Sequence, residues 1–405
     1  MATGCLSVAT VPDFAGLTDY SGERYHTGSW PQQDVYLAGK RVAVIGTGSS
    51  GVQVITTIAP EVGTLHVFQR TPAFSVPARN HALTAEDNLG AYADRDGYLL
   101  SRQTQLRTGL GDLFVGDDVL AIGATPGKAL DEASRQEALQ ARYLHGGGHF
   151  IFAYADLVVD REMNEVAADY LRDRIEEIVE DPDTARWLMP TDNPVGTKRI
   201  CCDTGYYEVF NQPNVTLVDT RANPIERITT NGLRAGGTDY EFDVIIFATG
   251  YDAMTGALAR IDIRGRDGRA LSEEWRDGPL TYLGLAVSGF PSLFMITGPQ
   301  SPSVLSNMVA SIEQHVDWIS ACLSSAGTDG TIEAKPEAQA QWVAQTEEVA
   351  AATLFPTTAS WYMGANVPGK PRNFMAYVGG MGPYREICDS VARSGYERFS
   401  VNTVP

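Results

Sequence analysis

The sequence is short of positive charge. Against 50 Asp and Glu it sets only 31 Lys and Arg, leaving a net charge of −19 and a pI near 4.7. That excludes general binding to nucleic acid or to an anionic membrane, since both need basic surface. Long apolar runs are also missing. Stretches such as Val244 to Ala248 fall far below the ~20 residues a membrane-crossing helix requires. The opening Met1-Ala2-Thr3-Gly4 has neither the basic region nor the apolar core of a signal peptide. Cysteine is sparse and scattered (Cys5, Cys201, Cys202, Cys322, Cys388), with no C-x-x-C and no metal-ligand spacing. This pattern points to reduced thiols in a cytoplasmic protein and to no metal site. Cys201 and Cys202 are adjacent, and a disulfide between neighbours is strained, so they read as packing residues. No internal repeat or low-complexity tract is present. What remains is a globular composition, 43% hydrophobic and 20% charged, in 405 residues, enough for two or three domains.

One stretch organises the rest. Lys40 to Thr71 opens with the apolar run Val42-Ala43-Val44-Ile45, turns through Gly46-Thr47-Gly48-Ser49-Ser50-Gly51, continues as a helix to about Ala59, and ends with Leu65-His66-Val67-Phe68 followed by Gln69-Arg70-Thr71. Strand, glycine turn, helix and strand make the dinucleotide-binding unit. Gly46 allows the sharp exit from the strand. Gly48, with no Cβ, lets a pyrophosphate approach the backbone. Gly51 lets the helix pack closely on the strand, and the helix N-terminus offers N–H groups and a positive dipole end to the phosphates.

The end of the second strand decides which dinucleotide. An NAD site carries Asp or Glu there, about 20 residues beyond the glycines, to bind the ribose 2′-hydroxyl. This chain carries Arg70 with Thr71 beside it. A guanidinium forks onto a 2′-phosphate, so NADPH is favoured over NADH.

Between about Pro77 and Pro190 charge becomes dense. Val166, Tyr170, Leu171, Ile175, Ile178 and Val179 recur at helical spacing, with Arg172, Asp173, Glu176, Glu177 and Glu180 on the other side. Gly146-Gly147-Gly148 has no strand before it and no Lys-Ser/Thr after it, so it reads as a loop between helices rather than a phosphate loop. Lys198-Arg199 follows the turn-rich Thr191 to Thr197. From the residues alone this pair is either a set of solvated loop charges or an anion site. Further on, Tyr282-Leu283-Gly284 and Phe290 to Phe294 read as strands and turns. Gly298-Pro299-Gln300-Ser301-Pro302 reads as a loop into a helix running from near Ser306 to Leu323.

The segment Tyr20 to Pro31, Tyr-Ser-Gly-Glu-Arg-Tyr-His-Thr-Gly-Ser-Trp-Pro, matches F-x-G-x-x-x-H-x-x-x-W-P with Tyr20 in place of Phe. On this motif, directly followed by the glycine turn, the chain resembles the Baeyer–Villiger monooxygenases, the phenylacetone, steroid and large-ring ketone branch above all. The likeness continues through Phe68-Gln69-Arg70-Thr71-Pro72, Lys198-Arg199, Ala248-Thr249-Gly250-Tyr251-Asp252, Ile263-Arg264-Gly265, Gly298-Pro299 and Ser360 to Lys370. It implies an α/β, two-dinucleotide-binding-domain flavoprotein fold. Its expected parts are an FAD-domain remnant at 1–9, an NADPH-binding domain at 10–76 and 190–251, a helical insertion at 77–189, and the C-terminal part of the FAD domain at 252–405.

The resemblance also implies a reaction and roles. NADPH reduces FAD, a C4a-peroxyflavin forms with O₂, and one oxygen atom enters beside a ketone carbonyl to give an ester or lactone. Lys198 joins Arg70 on the NADP 2′-phosphate, and Arg199 stabilises the negative charge that develops. Met308 lies near flavin and substrate, unless it is a core helix residue, and Trp361 touches substrate or nicotinamide. Gly22, His26, Trp30 and Pro31 belong to the fingerprint. His26 couples domain movement to catalysis, with direct base chemistry the alternative, and Trp30 and Pro31 serve packing and the turn.

The chain departs from the family in one respect. The family opens with its own G-x-G-x-x-G for FAD, and no such turn precedes Ala2-Thr3-Gly4, which corresponds to Ala248-Thr249-Gly250. The expectation is an N-terminally truncated sequence, from a gene model started at an internal Met or from a fragment. It would expose apolar surface and would depend on a partner chain or a further N-terminal segment to hold FAD. The alternatives are a flavin N- or S-monooxygenase and an inactive NADPH-binding remnant.

Overall fold

The computed structural model describes residues 1–82, 84, 95–105, 125–327 and 330–403. Parts of the expected helical insertion, at 83, 85–94 and 106–124, therefore lie outside the described residues. The chain forms two compact units. One comprises Ala9–His81 and Val119–Tyr251, and the other comprises Met1–Val8, Ala82–Asp118 and Asp252–Pro405.

The first unit is built on a five-stranded parallel sheet. Its strands are β1 (Glu23–His26), β2 (Arg41–Ile45), β3 (Thr64–Gln69), β6 (Val215–Asp219) and β10 (Val244–Phe247), in the order β1-β10-β2-β3-β6. The short pair β4 (Ser75–Pro77) and β5 (Cys201–Asp203) forms a separate ribbon, and β7 (Ile225–Thr229), β8 (Gly232–Ala235) and β9 (Thr238–Glu241) form an antiparallel meander. Side chains alternate across a strand, and here both faces are covered. Val42, Val44, Leu65, Val67, Val244 and Ile246 enter one core with Val52 and Ile55 of helix α1 (Ser49–Ile58). Ala43, Ile45, Phe68, Ile245 and Phe247 enter the other, against the meander residues Ile228, Leu233 and Ala235. This two-sided burial explains why these strands read as unbroken apolar runs.

Helices α2 (Glu132–His145) and α3 (Arg161–Ile178) close this unit. Asp160 caps α3 by accepting from the N–H groups of Glu162 and Met163, and Ile175 and Val179 pack on the sheet's core. Gly146 and Gly147 form the loop after α2, with φ of 85° and 75°. Tyr20, the departure from the fingerprint's Phe, donates its hydroxyl proton to the Phe242 carbonyl at 3.0 Å, so the extra oxygen is satisfied in the buried site.

In the second unit, helices α4 (Met308–Ala326), α5 (Pro336–Ala351) and α6 (Met381–Arg393) enclose a core of Trp318, Ile319, Trp342, Tyr377, Tyr384 and Phe399, beside the antiparallel pair of β11 (Gly330–Ala334) with β12 (Phe399–Thr403). No strand spans Tyr282–Phe294. The segment turns through left-handed Leu283, Gly284, Gly289 and Ser292, and only isolated bridges join Ala286 to Tyr282 and to Phe294. α4 shows a second apolar face, with Val309, Ile312, Val316 and Leu323 exposed. Among the described residues no helix is long and apolar enough to cross a membrane, and no cluster of His, Cys, Asp and Glu has metal-binding geometry.

Candidate functional site

The glycine turn has a specific steric logic. Gly46 adopts φ 108°, and a Cβ there would sit 2.5 Å from the Ala248 carbonyl oxygen; one on Gly51 would sit 2.2 Å from the Gly46 oxygen. Both contacts are closer than any side chain tolerates. A Cβ on Gly48 meets nothing within 4 Å, so the open space the motif reserves lies there. α1 begins immediately after Gly48 with no side-chain cap and no acidic residue in its first turn, which leaves its N–H groups for an external anion. Thr47 donates to the Thr71 carbonyl at 3.3 Å, and Ser49 lies 3.6 Å from the Cys201 sulfur. Burial pushes the Cys201 thiol up to about 11, so it stays protonated at neutral pH; all five cysteines are free.

Arg70 follows β3 directly, and β3 and β6 run in register from Leu65 with Val215 to Gln69 with Asp219. The charges of Arg70, Lys198, Asp192 and Arg221 act on one another at this edge of the sheet. Burial lowers the Lys198 pKa most, repulsion by Arg70 and Arg221 adds to it, and Asp192 pulls it back up. Asp192 itself is taken by Arg221 at 2.5 Å. Neither Lys198 nor Arg70 forms an ion pair with a carboxylate among the described residues. Two cations held close, one of them partly desolvated, make a site that gains from a dianion. The residues therefore fit an NADP 2′-phosphate. Arg199 is exposed, next to Lys198 and before β5.

His26 is buried at the end of β1. Its Nδ1 accepts from the Gly28 N–H at 2.9 Å, and its ring meets Tyr251 edge-on at 5.9 Å. Burial lowers its pKa, partly offset by the carbonyls of Thr10 and Gly250, which Nε2 faces without completing a hydrogen bond. Those carbonyls lie beside two of the four places where the chain passes between units, after Val8 and after Tyr251: Thr10 N–H donates to Gly250 at 2.9 Å, and Ala9 bridges Tyr251. Gly22 has no room for a Cβ, which would meet the Tyr20 ring and the Asp243 carbonyl. Trp30 is partly exposed and leans on Tyr25, ring centroids 5.4 Å apart, with Pro31 beside it.

In the second unit, Met308 and Trp361 pack on one cluster with Val304, Phe355, Tyr362 and Met375. The rings of Trp361 and Tyr362 meet at a tilt of 35°, centroids 4.1 Å apart. The loop that carries them ends in a clasp not anticipated from sequence: Lys370 donates to Asp252 and to the Ala253 carbonyl, both at 2.7 Å. Also unanticipated are four buried residues with left-handed backbones, Leu283, Thr297, Gln300 and Ser303, in and beside the loop before α4. Neither has a local sequence signature: non-glycine strain shows in no residue type, and Asp252 and Lys370 lie 118 positions apart. Among the described residues there is no second strand–glycine turn–helix, so an FAD pyrophosphate has no cradle of that kind within them.

These observations define a dinucleotide-binding α/β protein with two cations, Arg70 and Lys198, acting on each other at the sheet edge. No family model matches the chain. It is 39% identical over 402 residues to a Baeyer–Villiger monooxygenase of Pseudooceanicola batsensis, covering 97% of this chain and 70% of that protein. It is 38% identical over 409 residues to the phenazine N-monooxygenase PhzNO1 of Lysobacter antibioticus, covering 100% of this chain and 73% of that one. The structure of cyclohexanone monooxygenase from Rhodococcus sp. Phi1 bound to NADP⁺ superposes with a TM-score of 0.93 at 41% identity, over 100% of this chain and 74% of that one. The chain belongs to the Baeyer–Villiger monooxygenase family, whose members depend on FAD and NADPH.

Proposed function

We propose that the chain acts in NADPH- and FAD-dependent Baeyer–Villiger oxidation of a small-molecule ketone: ketone, O₂, NADPH and a proton give ester or lactone, NADP⁺ and water. The observation that carries this reading is the pairing of partly buried Lys198 with Arg70 at the end of β3, downstream of a fingerprint ending in Trp30 and Pro31. Gly46, Thr47, Gly48, Ser49, Ser50 and Gly51 hold the pyrophosphate, and Arg70, Thr71 and Lys198 hold the 2′-phosphate. Arg199 offers a permanent cation to negative charge developing on oxygen, a role in which losing one donor costs about 3–4 kcal/mol. Met308 and Trp361 line the substrate side. Gly22 and His26 tie the fingerprint to the paired chain crossings at Thr10 and Gly250. Bound flavin supplies the oxygen activation. The setting is the cytoplasm, with 10–76 and 190–251 as the NADPH-binding domain.

The likeness to a phenazine N-monooxygenase supports nitrogen oxidation as a second reading. Purified protein supplied with NADPH and a panel of ketones, sulfides and aromatic amines separates them by product mass. Ester from ketone is the expected outcome. A preparation without flavin absorbance that still binds NADPH would contradict both readings.

A further inference from the structure

His315 lies in the middle of α4, fully buried, and its two ring nitrogens reach two different partners. Nδ1 accepts from the Thr297 N–H at 2.9 Å. An acceptor nitrogen carries no proton, so in the neutral ring the proton is on Nε2. That nitrogen lies 3.2 Å from the Tyr384 oxygen, and Tyr384 in turn donates its own proton to the Leu283 carbonyl at 2.7 Å. The direction of every bond in the chain is thereby fixed: His315 Nε2–H to Tyr384, Tyr384 O–H to Leu283. Burial holds His315 neutral, with its pKa pushed down to about 3.

The two backbone groups at the ends of this relay are not ordinary ones. Leu283 has φ 58° and Thr297 φ 51°, a region that non-glycine residues avoid, and Gln300 and Ser303 follow at 69° and 42°. Such strain persists only where surrounding contacts over-determine it, and it gathers at functional sites. The two turns also interlock. Gly284 sits so close to Ser301 that a Cβ would be 2.4 Å from its nitrogen. From Gln300 the order is handed on through backbone bonds, Gln300 N–H to the Met375 carbonyl at 3.0 Å and Met375 N–H to the Tyr362 carbonyl at 3.0 Å, next to Trp361. In the other direction the loop runs straight into Val304, Leu305 and Met308.

We propose that His315 and Tyr384 are positioning residues that hold the strained Thr297–Ser303 loop and, through it, the substrate-side residues Met308 and Trp361. This rests on the substrate-side role proposed above for those two residues. Neither His315 nor Tyr384 touches substrate; they act through the loop.

The test uses His315→Asn, His315→Gln and Tyr384→Phe in the holoprotein. Asn places an acceptor near the Nδ1 position and keeps the Thr297 bond; Gln places a donor near the Nε2 position and keeps the Tyr384 bond. Hydrogen exchange followed by mass spectrometry is expected to show peptides covering 297–303 opening at least about tenfold faster in the His315→Gln and Tyr384→Phe variants, with α5 peptides unchanged and the His315→Asn variant closer to wild type. Turnover of ketone is expected to fall between about tenfold and a hundredfold in the same two variants, while NADP⁺ affinity, set in the other unit, stays put. Exchange that rises equally in 297–303 and in α5 would make the pair ordinary core residues and overturn the proposal. So would local opening with unchanged turnover. Absence of any ketone turnover in wild type would defeat the functional reading, and the exchange data would still decide whether the relay holds the loop.

Discussion

Replacing Lys198 with Ala separates cofactor selection from folding. In the free protein the Lys198 charge is a burden, because burial and the neighbouring Arg70 both lower its pKa and only Asp192 opposes them. Its folded-state pKa lies below the unfolded value, so the ammonium form is disfavoured by folding and removing it relieves the apo protein. When a 2′-phosphate arrives, the same ammonium makes a charge-assisted bond in a partly dry site. Such bonds contribute about 1.5–3 kcal/mol, which corresponds to roughly 10- to 150-fold in affinity. Lys198→Ala is therefore expected to raise the KM for NADPH by that factor, to leave the KM for NADH within about twofold, and to leave the apo Tm unchanged or slightly higher. Steady-state NADPH and NADH oxidation with a thermal melt measures all three. Equal loss toward both cofactors, or a Tm falling by several degrees, would refute the assignment of Lys198 to the 2′-phosphate.

Gly48→Ala should fold as wild type, since its Cβ meets nothing within 4 Å, yet weaken NADPH and NADH alike. Gly51→Ala, with a Cβ 2.2 Å from a backbone oxygen, should lower the Tm; both follow from melts and cofactor titrations. Arg199→Ala should reduce kcat by about 10²–10³ with little change in NADPH affinity, read by single-turnover kinetics. For His315 the folded pKa of about 3 lies below the usual 6.5, so between those values the unfolded chain binds the proton and the folded one does not. Stability is complete above pH 6.5 and is lost toward pH 3, at about 1.4 kcal/mol per unit, and urea midpoints for His315→Asn should lack that slope. Lys370→Met should strand the Asp252 carboxylate and cost about 3 kcal/mol, recovered in part by adding Asp252→Asn, because the two side chains are only 11% and 23% exposed.

Much of the fold is legible where one physical requirement dominates. β2 and β10 are buried on both faces, so their apolar runs mark them almost to the residue. The helix read from Ser306 starts at Met308 instead, because Asn307 supplies the cap by accepting from the Ala310 N–H. Tyr282 to Phe294 looks strand-like in composition, yet left-handed Leu283 and Ser292 break it into turns, and nothing in Leu or Ser announces such a backbone. At the site, motif and resemblance mark Arg70 and Lys198. That they influence each other's charge depends on register between β3 and β6 and on burial, which only the three-dimensional arrangement supplies. The Lys370–Asp252 clasp and the His315–Tyr384 relay join residues more than sixty positions apart, beyond the reach of local pattern.

Everything proposed for the site converges on oxygen insertion from O₂ into a ketone, driven by NADPH. Turnover under ¹⁸O₂ with product mass spectrometry tests it directly. The expected product is an ester or lactone carrying one labelled oxygen, formed in step with NADPH consumed and with unlabelled carbonyl oxygen retained. NADPH binding with no labelled product, or label appearing only on nitrogen or sulfur substrates, would contradict it.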